Sequence, residues 1–427
     1  MISTWLSAAL ARHNIHYGWA MVAVTFLAAL ISAGTVGAPG VFIVPLQKEF
    51  GWSAAEVSSA LSIRLILFGL MAPFAAALLN RYGLRNVTLA AQLVVTSGLL
   101  ASLFMTQLWQ LVLLWGFVVG IGTGMTALVL GATIATRWFV ARRGLVVGIL
   151  TASVATGQLL FLPALAAITE RFGWRIALAL ICMMLGVAAL AVLLVMRDRP
   201  SDVGLRPLGD EGTVPLPAPP PNTAPIMAAA LGTLRDCSKS RVFWILFATF
   251  FICGASTNGL IQVHLIPLCL DFGIPQVQAA SLLAAMGIFD FVGTIVSGWL
   301  SDRYDNRWLL FWYYGLRGLS LLFLPYSDFT FYGLSLFAVF YGLDWIATVP
   351  PTVRLTAQRF GAERANLVFG WVFAGHQIGA GVAAFGAGLS RTVYATYLPA
   401  FFVAGALCIA AALAVLAISR PAKVATA

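Results

Sequence analysis

Leu79-Asn80-Arg81-Tyr82-Gly83-Leu84-Arg85 returns 222 positions later as Ser301-Asp302-Arg303-Tyr304-Asp305-Asn306-Arg307. The two copies share Arg81 with Arg303, Tyr82 with Tyr304 and Arg85 with Arg307. The same shift, without a gap, lays Gly37 on Gly259, Pro45 on Pro267, Phe50 on Phe272, Gly51 on Gly273, Gly120 on Gly342, Arg137 on Arg359 and Arg142 on Arg364. Compositional bias supplies some matching glycines and leucines. It does not return basic residues to corresponding positions, so the chain reads as an internal duplication.

The duplicated unit is apolar. Of 427 residues, 61% are hydrophobic and 9% charged, whereas soluble domains carry about 25% charged residues. Apolar runs of about 20 residues recur, each long enough to cross about 30 Å of hydrocarbon. In lipid the backbone must satisfy its own polar groups, which selects helices. The breaks between runs predict twelve spans: 17–45, 53–79, 86–106, 109–136, 144–168, 174–196, 242–270, 276–300, 308–326, 329–356, 365–390 and 394–419. The first run is too long for the h-region of a cleavable signal, so span 1 is expected to be retained.

The connections on one side of these spans hold 18 of the 25 Lys and Arg, among them Arg81, Arg85, Arg137, Arg303, Arg307 and Arg359. The other side holds Lys48, Arg171, Arg175 and Arg391. The positive-inside rule then puts both termini in the cytoplasm. It also accounts for the net charge of +10 without a nucleic-acid partner. The longest connection contains Pro215-Leu-Pro-Ala-Pro-Pro-Pro221, which favours extended, water-exposed chain. It divides the protein into an N-terminal six-helix bundle (1–196), a cytoplasmic linker (197–240) and a C-terminal six-helix bundle (241–427). The five cysteines are scattered and read as small core residues.

Parallel repeats of six spans, with a binding site between rocking halves near the midplane, describe the major facilitator architecture. The two duplicated loops resemble the loop motif of that superfamily. The resemblance implies a latch at the inner helix ends made by Asn80, Arg81 and Arg85 in one half and Asp302, Arg303 and Arg307 in the other. Asn80 stands where the family carries aspartate, so the first copy is expected to be the weaker. Tyr17-Gly18-Trp19-Ala20 and Trp138-Phe139-Val-Ala-Arg142-Arg143-Gly144-Leu-Val-Val-Gly148 resemble signatures of the monocarboxylate transporters and oxalate/formate antiporters. Phe289-Asp290 matches the acidic position that this family uses in proton coupling. The arginine expected four residues later is Thr294, and span 1 lacks the family's lysine.

An ionisable side chain at mid-span costs on the order of 2.5–3.5 kcal/mol on insertion scales, so each one marks a candidate site. Arg64 on span 2 suits a carboxylate through its planar fork. His264, His376, Gln377 and Thr294 are further substrate-binding candidates. Asp290 and Asp344 are proton-coupling candidates, and Arg317 on span 9 is read as a structural or coupling ion pair with one of them. Thr257 and His264 are seven residues apart, on one helical stripe, and Asn258 and Gln262 form a second polar pair four apart. Two histidines on separate helices imply no metal. No nucleophile elbow, nucleotide loop or cofactor motif is present in the sequence; the glycines of span 4 sit inside a span, with no strand before them. The expectation is therefore a monomeric, proton-coupled carrier of a small organic anion in a bacterial inner membrane. A carrier of another amphipathic compound and a non-transporting sensor are the alternatives.

Overall fold

A computed structural model describes residues 2–126, 129–140, 142–210 and 226–419. The proline run at 215–221 lies outside the described residues. In the first half, spans 1 to 6 comprise Gly18–Gly37 with Pro39–Phe50, Ala54–Tyr82, Leu84–Ser102, the interrupted stretch from Leu108 to Trp138, Arg143–Phe172 and Trp174–Val195. In the second, spans 7 to 12 comprise Arg241 to Asp271, Gln276–Arg303, Asn306–Phe323, Phe331–Asp344 with Val349–Phe360, Ala362–Tyr394 and Leu398–Val415. Local chemistry sets many of the ends. Ser53 and Glu56 form a reciprocal capping box at the start of span 2, and the Thr330 hydroxyl accepts from the Gly333 amide at span 10. Span 1 ends at Gly51 (φ 71°), and its repeat counterpart Gly273 closes the turn after span 7 (φ 78°). A left-handed turn that favours glycine is thus used twice at the same place.

The halves pack alike. Span 1 lies on span 5, span 2 on span 4 and span 3 on span 6, and the equivalent pairs 7 on 11, 8 on 10 and 9 on 12 repeat this arrangement. Between the halves, span 2 meets span 11 and span 5 meets span 8, again as a symmetric pair. A Cβ on Gly40 would lie 2.9 Å from the carbonyl oxygen of Gln262, its own counterpart at the 222-residue shift. A residue touching its own counterpart lies close to the pseudo-twofold axis, so the axis passes between spans 1 and 7 there.

Irregularities recur as well. Span 1 breaks at Ala38-Pro39, and its counterpart region in span 7 ends a π-helical stretch, Ala255–Ile261. Span 10 unwinds over Trp345-Ile346-Ala347-Thr348, and span 4 leaves the helix at Met125, the position equivalent to Ala347. Each half also carries a buttress at the end away from the termini. Glu49 pairs with Arg175 and takes the indole N–H of Trp174 at 2.6 Å, while its counterpart Asp271 takes two bonds from Arg391, at 2.8 and 3.1 Å.

Among the described residues, two short α-helices fall outside the twelve spans. Ile2–Arg12 packs against span 6, and Ile226–Cys237 packs against spans 2 and 11. The latter corrects the reading of the whole connection as extended chain. Its residues face two neighbours, and the indole N–H of Trp371 on span 11 donates to the Ala230 carbonyl at 2.9 Å.

Candidate functional site

Arg64 sits mid-way along span 2, with 5% of its surface exposed. Gly120 of span 4 makes room for it, since a Cβ there would lie 3.0 Å from the Arg64 Cα. The side chain borders a narrow cavity between the halves, lined also by Pro39, Leu61, Val263 and the amides Asn258 and Gln262. On its other flank Arg64 meets a second cavity with Thr35, Phe42 and Trp115. The cation therefore stands beside the break in span 1 and the π-helical stretch of span 7. Such interruptions free backbone polar groups at membrane depth, where they line sites.

His264 does not join this cavity. It is fully buried, its Nε2 lies 2.8 Å from the Ala384 carbonyl oxygen, and its ring packs on Tyr397 at 5.1 Å. Because the partner is a carbonyl, Nε2 carries the proton and donates. His376 lies between the rings of Phe250 (4.8 Å) and Phe373 (5.6 Å), and Gln377 packs against Gly69 at the contact of spans 2 and 11. Asn258 and Gln262, a polar pair without a role on sequence grounds, line the same cavity as Arg64. Their four-residue spacing was the available signal.

A separate charged cluster occupies the second half. Arg317, with none of its surface exposed, donates Nε to Asp344 Oδ2 at 2.7 Å and Nη1 to the thiol sulfur of Cys253 at 2.9 Å. Its Nη2 donates to the backbone carbonyls of Asp344 and of Trp345, the latter at 3.0 Å. Asp290 on span 8 accepts from the Ile346 amide at 2.8 Å and from the Thr294 hydroxyl at 3.2 Å. Thr294 is thus spent on the carboxylate and lies in this cluster. Asp344 Oδ1 is buried and finds no hydrogen-bond partner among the described residues. Of the sequence candidates, the structure brings together Asp290, Thr294, Arg317 and Asp344, and leaves Arg64, His264 and Gln377 at other places. Cys253, read as core, is part of the cluster.

At the ends near the termini, Asn80 accepts from Arg137 Nη2 at 2.6 Å, and Asp302 pairs with Arg354. These bonds tie span 2 to span 4 and span 8 to span 10. Arg81 stacks on Tyr82, and Arg303 lies 4.1 Å over the Trp299 ring. Arg307 is held by Asp305 at 2.6 Å and donates to the Ile418 carbonyl. The backbone amide of Arg85 donates to Asp198 at 3.0 Å. The two signature stretches are neighbours: Tyr17 lies 5.7 Å from Trp138, and Trp19 5.5 Å from Phe139.

A family model described as Major Facilitator Superfamily matches residues 25–384 and 265–427. Monocarboxylate transporter 12-B of Danio rerio is 26% identical over 418 residues, covering 91% of this chain and 84% of its own. Monocarboxylate transporter 13 of Rattus norvegicus is 28% identical over 397 residues, covering 92% and 87%. Among solved structures, a D-xylose–proton symporter superposes with a TM-score of 0.68 at 15% identity, over 95% of this chain and 99% of its own; that likeness concerns the fold. Two symmetric bundles of six spans, the family match along the chain and relatives aligned over most of their length lead to one conclusion: this chain belongs to the major facilitator superfamily and is a transporter.

Proposed function

We propose that the protein carries a small, monocarboxylate-like organic anion together with protons, by alternating access across a bacterial inner membrane, with both termini in the cytoplasm. The observation that carries this reading is Arg64 at the cavity between the halves, beside two neutral amides. A guanidinium offers a carboxylate two parallel bonds, and Asn258 and Gln262 complete the polar lining. One cation with neutral amides suits a monoanion. Asp290 and Asp344 take up the accompanying proton, and Arg317 offsets one of their two charges. A monoanion moving with one proton transfers no net charge, so the pH gradient drives its accumulation without help from the membrane potential. The names of the monocarboxylate transporter relatives agree with this class of substrate. The latch residues Asn80 and Asp302, with Arg81, Arg85, Arg303 and Arg307, form links at the inner helix ends that hold the outward-open state and break when the halves tilt.

In liposomes, the purified protein is expected to accumulate a labelled short-chain monocarboxylate when the outside is acidified. Asp290→Asn is expected to reduce this driven uptake more than exchange at equal pH. Equal loss of both, or uptake indifferent to the gradient, removes the coupling assignment. The apolar lining, with Leu61 and Val263, favours a second reading in which another amphipathic compound is carried or exchanged. Competition by neutral compounds and none by acids would select it. Absence of any flux would leave the sensor reading.

A further inference from the structure

Span 10 is interrupted inside the membrane, where every freed backbone group needs a partner. The partners found here are unusual. The carbonyls of Asp344 and Trp345 take N–H groups from Arg317 on span 9. The Ile346 amide donates to Asp290 on span 8, and the Ala347 carbonyl accepts from Ser297, also on span 8. Thr348 Oγ1 lies 3.2 Å from the Cys253 sulfur on span 7. Asp290, a proton-site candidate, and Arg317, the ion-pair partner of Asp344, therefore hold the unwound turn in shape. The equivalent departure of span 4 from the helix has Phe68 and Val95 at the positions of Asp290 and Arg317, so the charged clasp belongs to the second half alone.

We propose that this clasp converts the charge of Asp290 into the backbone geometry of span 10. It rests on the proton-coupling reading above and says where the proton is felt. With Asp290 ionised, the Ile346 N–H has a charged acceptor and the break is held open. When an O–H bond forms on Asp290 with a proton from hydronium on the acidic side, which leaves as water, the trio of Asp290, Arg317 and Asp344 passes from a net charge of −1 to zero. The bond from Ile346 then goes to a neutral acceptor, about half as strong as a charge-assisted one. The freed turn shifts relative to span 8, and span 10 moves with it. When the proton leaves, the original bond is restored.

The groups that share the site with Asp290 are fixed by its neighbours. Span 9 contributes Arg317 and span 10 contributes Asp344; Tyr313 stands near Asp344, and Tyr314 and Tyr341 near Arg317, rather than by Asp290. Cys253 of span 7, His376 of span 11 and Cys408 of span 12 stand within electrostatic reach of Arg317. Span 5, packed along span 8, has no titratable side chain between Arg143 and Glu170. Asp290 differs from the rest of the cluster in bonding directly to an amide of the break.

Hydrogen exchange of the intact protein in lipid nanodiscs tests this. After correction for intrinsic chemistry, exchange of peptides covering residues 342–350 is expected to rise up to about tenfold between pH 8 and pH 5, the halving of one charge-assisted bond. Asp290→Asn is expected to show the fast rate at both pH values, whereas Thr294→Val, which leaves the Ile346 acceptor in place, keeps the response. If Asp290→Asn fails to fold, the wild-type pH series still decides. A flat series, in a protein whose uptake is acid-driven, overturns the clasp and leaves proton coupling standing. Uptake indifferent to acid removes the coupling reading, and this inference with it.

Discussion

Arg64 and Arg317 are both guanidiniums in a membrane interior, yet their surroundings give them different work. Arg317 directs its N–H groups at groups of the second half, so Arg317→Ala leaves Asp344 buried without its cation. Breaking a buried pair from one side costs about 3–5 kcal/mol, and a large fall in thermal midpoint in detergent is expected. Replacing both partners, Arg317→Met with Asp344→Leu, is expected to recover part of that fall. Arg64 faces the cavity between halves, and Arg64→Lys keeps its charge while losing the planar fork. The KM for the anion is expected to rise about tenfold, one bidentate contact's worth, with a near-normal thermal midpoint; an unchanged KM would remove Arg64 from the site. The sequence identified both arginines as exceptional because ionisable groups in apolar runs are rare. It did not place His264. Its stripe with Thr257 assumes 3.6 residues per turn, and the π-helical stretch Ala255–Ile261 between them adds a residue to the turn and rotates the remainder of the helix by about 100°. The polar pair Asn258 and Gln262 straddles the end of that stretch, and only its three-dimensional course brings both to the cavity that Arg64 borders.

Elements of this protein are positioned by close backbone approach, and the glycines that permit it are unequal. A Cβ on Gly293 of span 8 would stand 1.8 Å from the Leu343 carbonyl of span 10, whereas around Gly148 of span 5 nothing lies within 4 Å. Gly293→Ala is therefore expected to force spans 8 and 10 apart, next to Asp290. The expected cost is at least the 1–3 kcal/mol typical of overpacking, together with loss of driven uptake. Gly148→Ala is expected to be neutral or to stabilise by up to about 1 kcal/mol through helix propensity. Equal thermal shifts for the two would refute the packing argument. All twelve spans were legible because a bilayer imposes length and apolarity on each, a stronger constraint than a soluble core imposes. The helices Ile2–Arg12 and Ile226–Cys237 carry no such signature. They are short, only partly apolar, and held by neighbours: Leu6 and Leu10 pack into the cluster around Tyr17 and Trp138, and Ala230 receives the Trp371 indole. Their stability is tertiary, as expected for isolated helices shorter than about 12–15 residues.

For the whole molecule, the repeat read from seven loop residues becomes a physical axis where Gly40 meets the Gln262 carbonyl. Around that axis the end away from the termini is drawn together. Gln276 Nε2 donates to the Val41 carbonyl at 2.7 Å, and the Ala55 amide donates to the Thr392 hydroxyl at 3.1 Å, both across the two halves. The same end carries the buttresses Glu49–Arg175 and Asp271–Arg391, which lie within their own halves and stiffen the helix tips that meet. Rigid tips joined by a few neutral bonds make a seam that two bodies part without rebuilding either one. If the protein works by alternating access, this seam must open in every cycle. A disulfide across it tests that requirement, and the five native cysteines, all buried, leave the engineered pair as the accessible one. Ala55→Cys with Thr392→Cys is expected to transport normally when reduced, to lose nearly all uptake on oxidation, and to recover with dithiothreitol. Each single cysteine variant is expected to be indifferent to the oxidant. Binding of the anion from the opposite side is expected to survive the cross-link, because Arg64 lies about half-way along span 2 and remains reachable when the termini end opens. Full transport through the cross-linked seam would show that the halves do not move as two bodies about this axis.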